Sequence, residues 1–321
     1  MKLTLGFAAG LAAALVAGVL MTPAAGWAQQ KIKMGVSIPA ATHGWAGGLN
    51  WHAQQAKAKL EKQYPTLEVV LVTARDVGRQ ANDLEDLVSV RNIDALVILP
   101  FESAPMTDPV RAVKQAGKFV TVVDRGLTDP TIQDLYVAGN NPEMGKVSAQ
   151  FMKQKLGGKG DIVVLRGIPT VIDNQRVDAF QEEIKGTQIK ILGMQYANWN
   201  RDDGYKVMQD FLSRFPKIDA VWAQDDDIAL GVIEAVKQAG REKEMFILGG
   251  AGMKDMIKRV MDKDPLVPAD VLYPPGMIAE AMEITAKHLV EKAPIKKEYI
   301  IEATLVTPEN ASKYYYPDSP F

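Results

Sequence analysis

Short apolar runs rich in β-branched residues alternate with amphipathic stretches of helical period along most of the chain. This alternation restricts the fold more than any other feature. Lys31 to Ile38 (KIKMGVSI) reads as a strand, and Trp45 to Tyr64 carries helical spacing of Ala, Leu and Trp. Strand Glu68–Thr73, helix Arg79–Arg91, strand Ala95–Leu99, helix Pro105–Ala116 and strand Phe119–Asp124 (FVTVVD) follow. The rhythm restarts near Leu135 with the short strand LYVAG and helix Pro142–Leu156. Strands at 161–166, 189–196, 220–224, 245–249 and 269–272 then alternate with helices at 173–184, 202–215, 226–239, 253–261 and 277–291. A last strand is expected from Glu298 to Val306. Continuous apolar strands between helices indicate parallel sheets covered on both faces. Two consecutive series predict an α/β protein of two doubly wound lobes, and 321 residues is more than one core usually supports.

The first residues obey a different pattern. Lys2 precedes an apolar run from Leu5 to Met21, Pro23 breaks it, and Gly26-Trp27-Ala28 offers small residues for cleavage. This is the pattern of a secretory signal peptide, residues 1–28, cleaved near Ala28. The rival reading is a membrane anchor, since the run approaches spanning length. No stop-transfer charge cluster follows, which favours export.

Composition removes several function classes. With 37 basic and 39 acidic side chains the formal charge is −2, so the basic surplus of a nucleic-acid binder is missing. The absence of cysteine excludes a disulfide scaffold, a thiolate-ligated metal and a thiol nucleophile. Only three histidines occur, none in HExxH spacing, and no GxSxG elbow, GxxxxGK[ST] loop or dinucleotide fingerprint is present. No metal site and no cofactor are expected. A hydrolase using two carboxylates stays open.

Open parallel sheets bind ligands beyond the carboxyl ends of their strands, so the polar and aromatic residues there are the candidate site. They are His43 and Trp45 after the first strand, Asp124 and Arg125, Asn140 and Asn141, Asp173 and Asn174, Trp199 and Asn200, Gln224 and Asp225, and Tyr273. Asp, Asn, Arg and Gln match the donors and acceptors of vicinal hydroxyls, and tryptophan rings cover the C–H faces of a sugar. The set therefore suits a small neutral carbohydrate or polyol. Each residue also has a structural reading. Asp124–Arg125 can be an ion pair, Asp226 is expected to cap its helix while Asp225 faces the pocket, and Asp173 is expected as a cap beside an inward Asn174. Trp222, mid-strand, is expected in the core.

Several stretches resemble the periplasmic sugar-binding proteins of the ribose-binding type, substrate-binding subunits of ABC importers. KIKMGVSIP followed by THGWAGG, FVTVVDRG, AGNNPEMGK and above all VMQDFLSRFPKIDAVWAQDDDIALGVIEAVKQAG carry the likeness, from about Lys31 to Val306. The resemblance implies Trp45 as a stacking ring, Asp124 and Arg125 as hydroxyl clamps, and Asn141 nearby. Asn174 falls where a ribose binder places an Arg, Trp199 where it places a stacking Phe, and Asp225 where it places an Asn. The Asp of the family's Gly-Phe-Asp-Gly turn is Ala251 here, and its late Gln is Leu272 or Tyr273. These departures leave ribose itself in doubt, with another pentose, a hexose, a deoxy sugar or a linear polyol open. PTVIDNQ also resembles the autoinducer-binding branch of the superfamily. The implied organisation is a lobe of residues 29–138 plus 273–302 and a lobe of 139–272 plus 303–321, hinged near Ala138, Tyr273 and Glu302. A monomeric periplasmic protein delivering its ligand to an ABC permease is the expected function. The alternatives are a receptor signalling to a chemoreceptor or sensor kinase, and a secreted carbohydrate-active enzyme. Lac-repressor-type regulators share the fold, but a signal peptide stands where their DNA-binding helices would be.

Overall fold

The computed structural model describes residues 31–41 and 44–321, together with Met1. The export segment and His43 lie outside the described residues. Lys31–Phe321 forms one compact unit. The chain runs β1 (Ile32–Pro39), α1 (Gly44–Gln63), β2 (Leu67–Ala74), α2 (Val77–Ser89), β3 (Ala95–Ile98), α3 (Ser103–Gln115), β4 (Phe119–Val123) and β5 (Leu135–Gly139). It continues α4 (Asn141–Leu156), β6 (Lys159–Arg166), α5 (Val171–Ile184), β7 (Gln188–Tyr196), α6 (Arg201–Arg214), β8 (Ala220–Ala223), α7 (Asp226–Gln238), β9 (Phe246–Leu248) and α8 (Lys254–Met261). It closes with β10 (Asp270–Val271), α9 (Met277–Glu291), β11 (Glu298–Ile301) and β12 (Leu305–Val306).

Two all-parallel sheets result, ordered β11-β5-β4-β3-β1-β2 and β7-β6-β8-β9. All four residues of β3 and all four of β8 are buried, because helices cover both faces of each sheet. Trp222 stacks on Phe180 in the second core, ring centroids 4.1 Å apart, as expected for a core residue.

Two expectations need correction. LYVAG, read as opening the second series, is β5 and pairs with β4 in the first sheet. The strand expected over Glu298–Val306 is two: β11 extends the first sheet beside β5, whereas β12 pairs antiparallel with β10. The chain thus passes between the two layers three times, after Gly139, after Leu272 and after Ile301. Residues 303–321 stay with the second layer, where β12 lies beside β10, and the terminal Phe321 reaches across to the first. Lys254 Nζ on α8 donates to the Ser319 carbonyl at 2.6 Å, and the Phe321 side chain lies so close to α1 that a Cβ on Gly48 would be 2.7 Å from it.

Helix N-termini follow strand carboxyl ends and face the space between the layers. Asn140 accepts from Glu143 N, Thr170 from Asp173 N, Asn200 from Asp203 N, and Asp225 from Asp227 N and Ile228 N. Caps and ligand contacts therefore draw on the same short polar residues at the same places.

Candidate ligand-binding site

Trp45, in the first turn of α1, donates its indole N–H to the Tyr273 carbonyl at 2.9 Å. Asp124 follows β4 with φ 60°, accepts the Tyr273 hydroxyl, and receives the Tyr136 hydroxyl on its backbone oxygen at 2.6 Å. Arg125 donates to the carbonyls of Phe101 and Pro100, and its guanidinium lies 5.7 Å from the Trp199 ring centroid. Trp199 follows β7 with φ 51° and lies on Gly167, where a Cβ would come within 2.0 Å of the indole nitrogen. Ala251 follows β9 with φ 123°.

These residues, with Ile172, Arg176, Gln224, Asp225 and Tyr273, line an inner chamber of about 30 Å³. Trp45, Arg125 and Trp199 also line a cleft of about 780 Å³ that carries Asn174 and Asn198 on its wall. Three chamber residues, Asp124, Trp199 and Ala251, hold positive φ without being glycine. Such backbone is uncommon and collects at functional sites when the surroundings enforce it. Here the enforcement is visible. Buried Asp226 accepts the backbone N–H groups of Gly250 (2.8 Å), Gly252 (2.9 Å) and Met253 (2.7 Å), which pins the turn carrying Ala251.

The chamber holds two carboxyl groups, Asp124 and Asp225, and two guanidiniums, Arg125 and Arg176. Burial lowers the Arg125 pKa from its ordinary value, opposed by Asp124. Burial, then the charges of Asp227 and Asp226, raise Asp225 well above the usual carboxylate range. Arg125 Nε, Trp199 Nε1 and both side-chain amide atoms of Gln224 are buried without a hydrogen-bond partner among the described residues. A buried polar atom left unpaired costs about 1–3 kcal/mol, so these residues are poised to bond something that enters.

Of the residues singled out in the sequence, Trp45, Asp124, Arg125, Trp199, Gln224, Asp225 and Tyr273 converge on the chamber. Asn141 is one layer behind it, buried and bonded to Tyr273 and Arg176. Asn174 lines the cleft and not the inner chamber. It is exposed at the cleft and accepts from Arg166 at 2.6 Å. The capping assignments also change: Asp225 both caps α7 and lines the chamber, and Asp173 is fully buried, held by Arg166 Nε at 2.9 Å. Sequence reasoning overlooked Arg176 and Ile172. Their signal was the buried stripe Ile172, Asp173, Arg176, Val177, Phe180 on α5, where a second charged side chain stands among apolar ones. Among the described residues no group of three or more metal-ligating side chains occurs, and no helix is long and apolar enough to cross a membrane.

Two parallel-sheet layers with an aromatic, hydrogen-bonding chamber at their strand ends define a solute-binding protein of the type I periplasmic binding architecture. The periplasmic binding protein domain matches residues 34–293, and the chain belongs to that family. It is similar to the ribose import binding protein RbsB of Bacillus subtilis, 28% identical over 232 residues, 72% of this chain and 74% of that protein. The xylitol-binding protein of Mycolicibacterium smegmatis is 32% identical over 194 residues, 59% of this chain and 54% of that protein. Among solved structures, the fructose-binding periplasmic domain of a hybrid two-component system matches with a TM-score of 0.77 and 29% identity, covering 88% of this chain and 92% of that one.

Proposed function

We propose that this chain is the periplasmic substrate-binding subunit of an ABC importer, capturing a small neutral sugar or polyol between two lobes and delivering it unchanged to a membrane permease. The observation that carries the reading is the chamber lining: two tryptophans beside Arg125 and Gln224, whose buried polar atoms lack partners. The carboxyl, amide and guanidinium groups of the chamber offer donors and acceptors in the pattern that hydroxyls pair with. The relatives named for ribose import and xylitol binding support the same ligand class.

The three crossings after Gly139, Leu272 and Ile301 form the hinge in this reading, with residues 29–138 and 273–302 moving against 139–272 and 303–321. A ligand touching both layers favours the closed form by its differential affinity, and the permease reads that form. A receptor role is the second reading, favoured by the likeness to a periplasmic domain of a two-component system. The closed form would then signal to a sensor kinase.

A thermal-shift screen of residues 29–321 against sugars, polyols and autoinducer-like compounds tests the proposal. Stabilisation of about 2.7 kcal/mol is expected at a hundredfold excess over Kd, with the compound recovered intact. No shift with any hydroxylated compound would overturn it.

A further inference from the structure

The chamber lining divides into two chemical sets, and Tyr273 marks the boundary. Its hydroxyl donates to Asp124 Oδ1 and accepts from Asn141 Nδ2 at 3.1 Å. Asn141 Oδ1 accepts in turn from Arg176 Nε at 2.8 Å, and Arg176 ends the chain on the Gln224 carbonyl at 3.2 Å. The Arg176 guanidinium also lies 4.4 Å from the Tyr273 ring centroid. Asp124, Asn141, Arg176 and Tyr273 are each no more than 4% exposed. The ring fits because residue 139 is glycine: a Cβ there would be 2.1 Å from it. Ile172 and Ala251, which offer no side-chain hydrogen bond, line the same chamber. By contrast, Arg125 Nε and the Gln224 amide have unused capacity. Polar groups suited to gripping hydroxyls are thus engaged by the protein's own hydroxyl in one set and free in the other.

We propose that Tyr273 is a specificity-determining residue whose hydroxyl stands in for one ligand hydroxyl within the Asp124–Asn141 network. The chamber then selects a sugar or polyol that lacks a hydroxyl at the carbon meeting Tyr273, Ile172 and Ala251, in preference to its fully hydroxylated parent. This rests on the sugar or polyol reading above. A parent hydroxyl at that carbon would be buried without a partner, which weakens binding by about tenfold or more.

The test is calorimetric titration of residues 29–321 with matched pairs: D-fucose and D-galactose, 5-deoxy-D-ribose and D-ribose, 1-deoxyxylitol and xylitol. These are run beside the sugar and polyol library. The wild-type protein is expected to bind a deoxy member about tenfold more tightly than its parent. Tyr273→Phe keeps the ring, frees Asp124 and Asn141, and should shift that ratio about tenfold toward the parent. Ala251→Ser adds a hydroxyl to the apolar wall, leaves the Tyr273 network intact, and should shift the ratio the same way even if Tyr273→Phe does not fold. Parents that bind as tightly as their deoxy partners overturn the inference, as does an unchanged ratio in both variants. A fully hydroxylated compound that binds while every deoxy member fails overturns the inference and leaves the sugar reading standing. Failure of every pair and of the whole library removes both.

Discussion

The backbone N–H of Gly44, where α1 begins on the first sheet, donates to Asp227 Oδ2, where α7 begins on the second, across 2.7 Å. Asp227 Oδ1 also accepts from Arg201 at 3.1 Å. One carboxylate thus ties the two layers together beside the chamber, and its bond to Gly44 exists only while they are close. Asp227→Ala should favour the open form and weaken ligand binding by roughly tenfold, the equivalent of about 1.4 kcal/mol. Titration calorimetry on the variant checks this, and an unchanged Kd would remove Asp227 from the closing mechanism.

Trp45 acts in both packing and binding. It is 7% exposed, lines chamber and cleft, and fixes Tyr273 through its indole N–H. Trp45→Ala should lower stability by about 3 kcal/mol and leave a folded protein at 25 °C. Its ligand affinity should fall well beyond tenfold. Circular dichroism separates the two effects, and wild-type affinity would show that the ring does not meet the ligand.

The Arg166–Asp173 pair supports the cleft wall without lining the chamber. Asp173 is fully buried, accepts from Gly167 N at 3.0 Å and is held by Arg166, whose guanidinium lies 4.5 Å from the Tyr196 ring centroid. Asp173→Ala leaves a guanidinium facing an apolar gap and should cost about 3–5 kcal/mol in chemical denaturation. A loss below about 1 kcal/mol would mean that solvent already screens the pair.

Beneath the chamber, Asp226 and Asp270 are both fully buried and close enough for each carboxyl to shift the other. Asp226 takes three backbone N–H groups, so it is the better anion even though burial pushes it up to about 6, and burial with the Asp226 charge raises Asp270 well above the usual range. The folded chain therefore holds a proton on Asp270 that the unfolded chain releases near pH 4. Stability contributed by this site is complete below the unfolded value and declines as pH rises toward the folded one, and Asp225 and Asp226 act in the same direction. Asp270→Asn keeps the shape, supplies a permanent donor and should stabilise the protein at pH 8 by about 1 kcal/mol or more. Urea unfolding at pH 5 and pH 8 should show a smaller fall between the two than in wild type. An equal fall would place the pH dependence elsewhere.

The alternation of strands and helices was readable because each strand is covered on both faces, so its apolar run is unbroken. Which sheet a strand joins is not a local property. LYVAG sits in the first sheet because Val137 pairs with Val123, a partner no periodicity announces. Glu298–Val306 looks like one strand, but its halves pair with β5 and β10, and the break between them depends on those distant partners. At the site, residues at strand ends were found because the topology rule names those positions. Arg176 was missed because it sits inside a helix. Asn174 lines the outer cleft while Arg176, two positions on, lines the chamber, because residues two apart on a helix point to nearly opposite faces.

The most direct test is a crystal structure of residues 29–321 with the tightest-binding sugar or polyol of the thermal screen. The account expects the intact ligand between Trp45 and Trp199, with hydroxyls bonded to Arg125, Gln224 and Asp225. A ligand bound on any other surface, or found cleaved in the chamber, would contradict it.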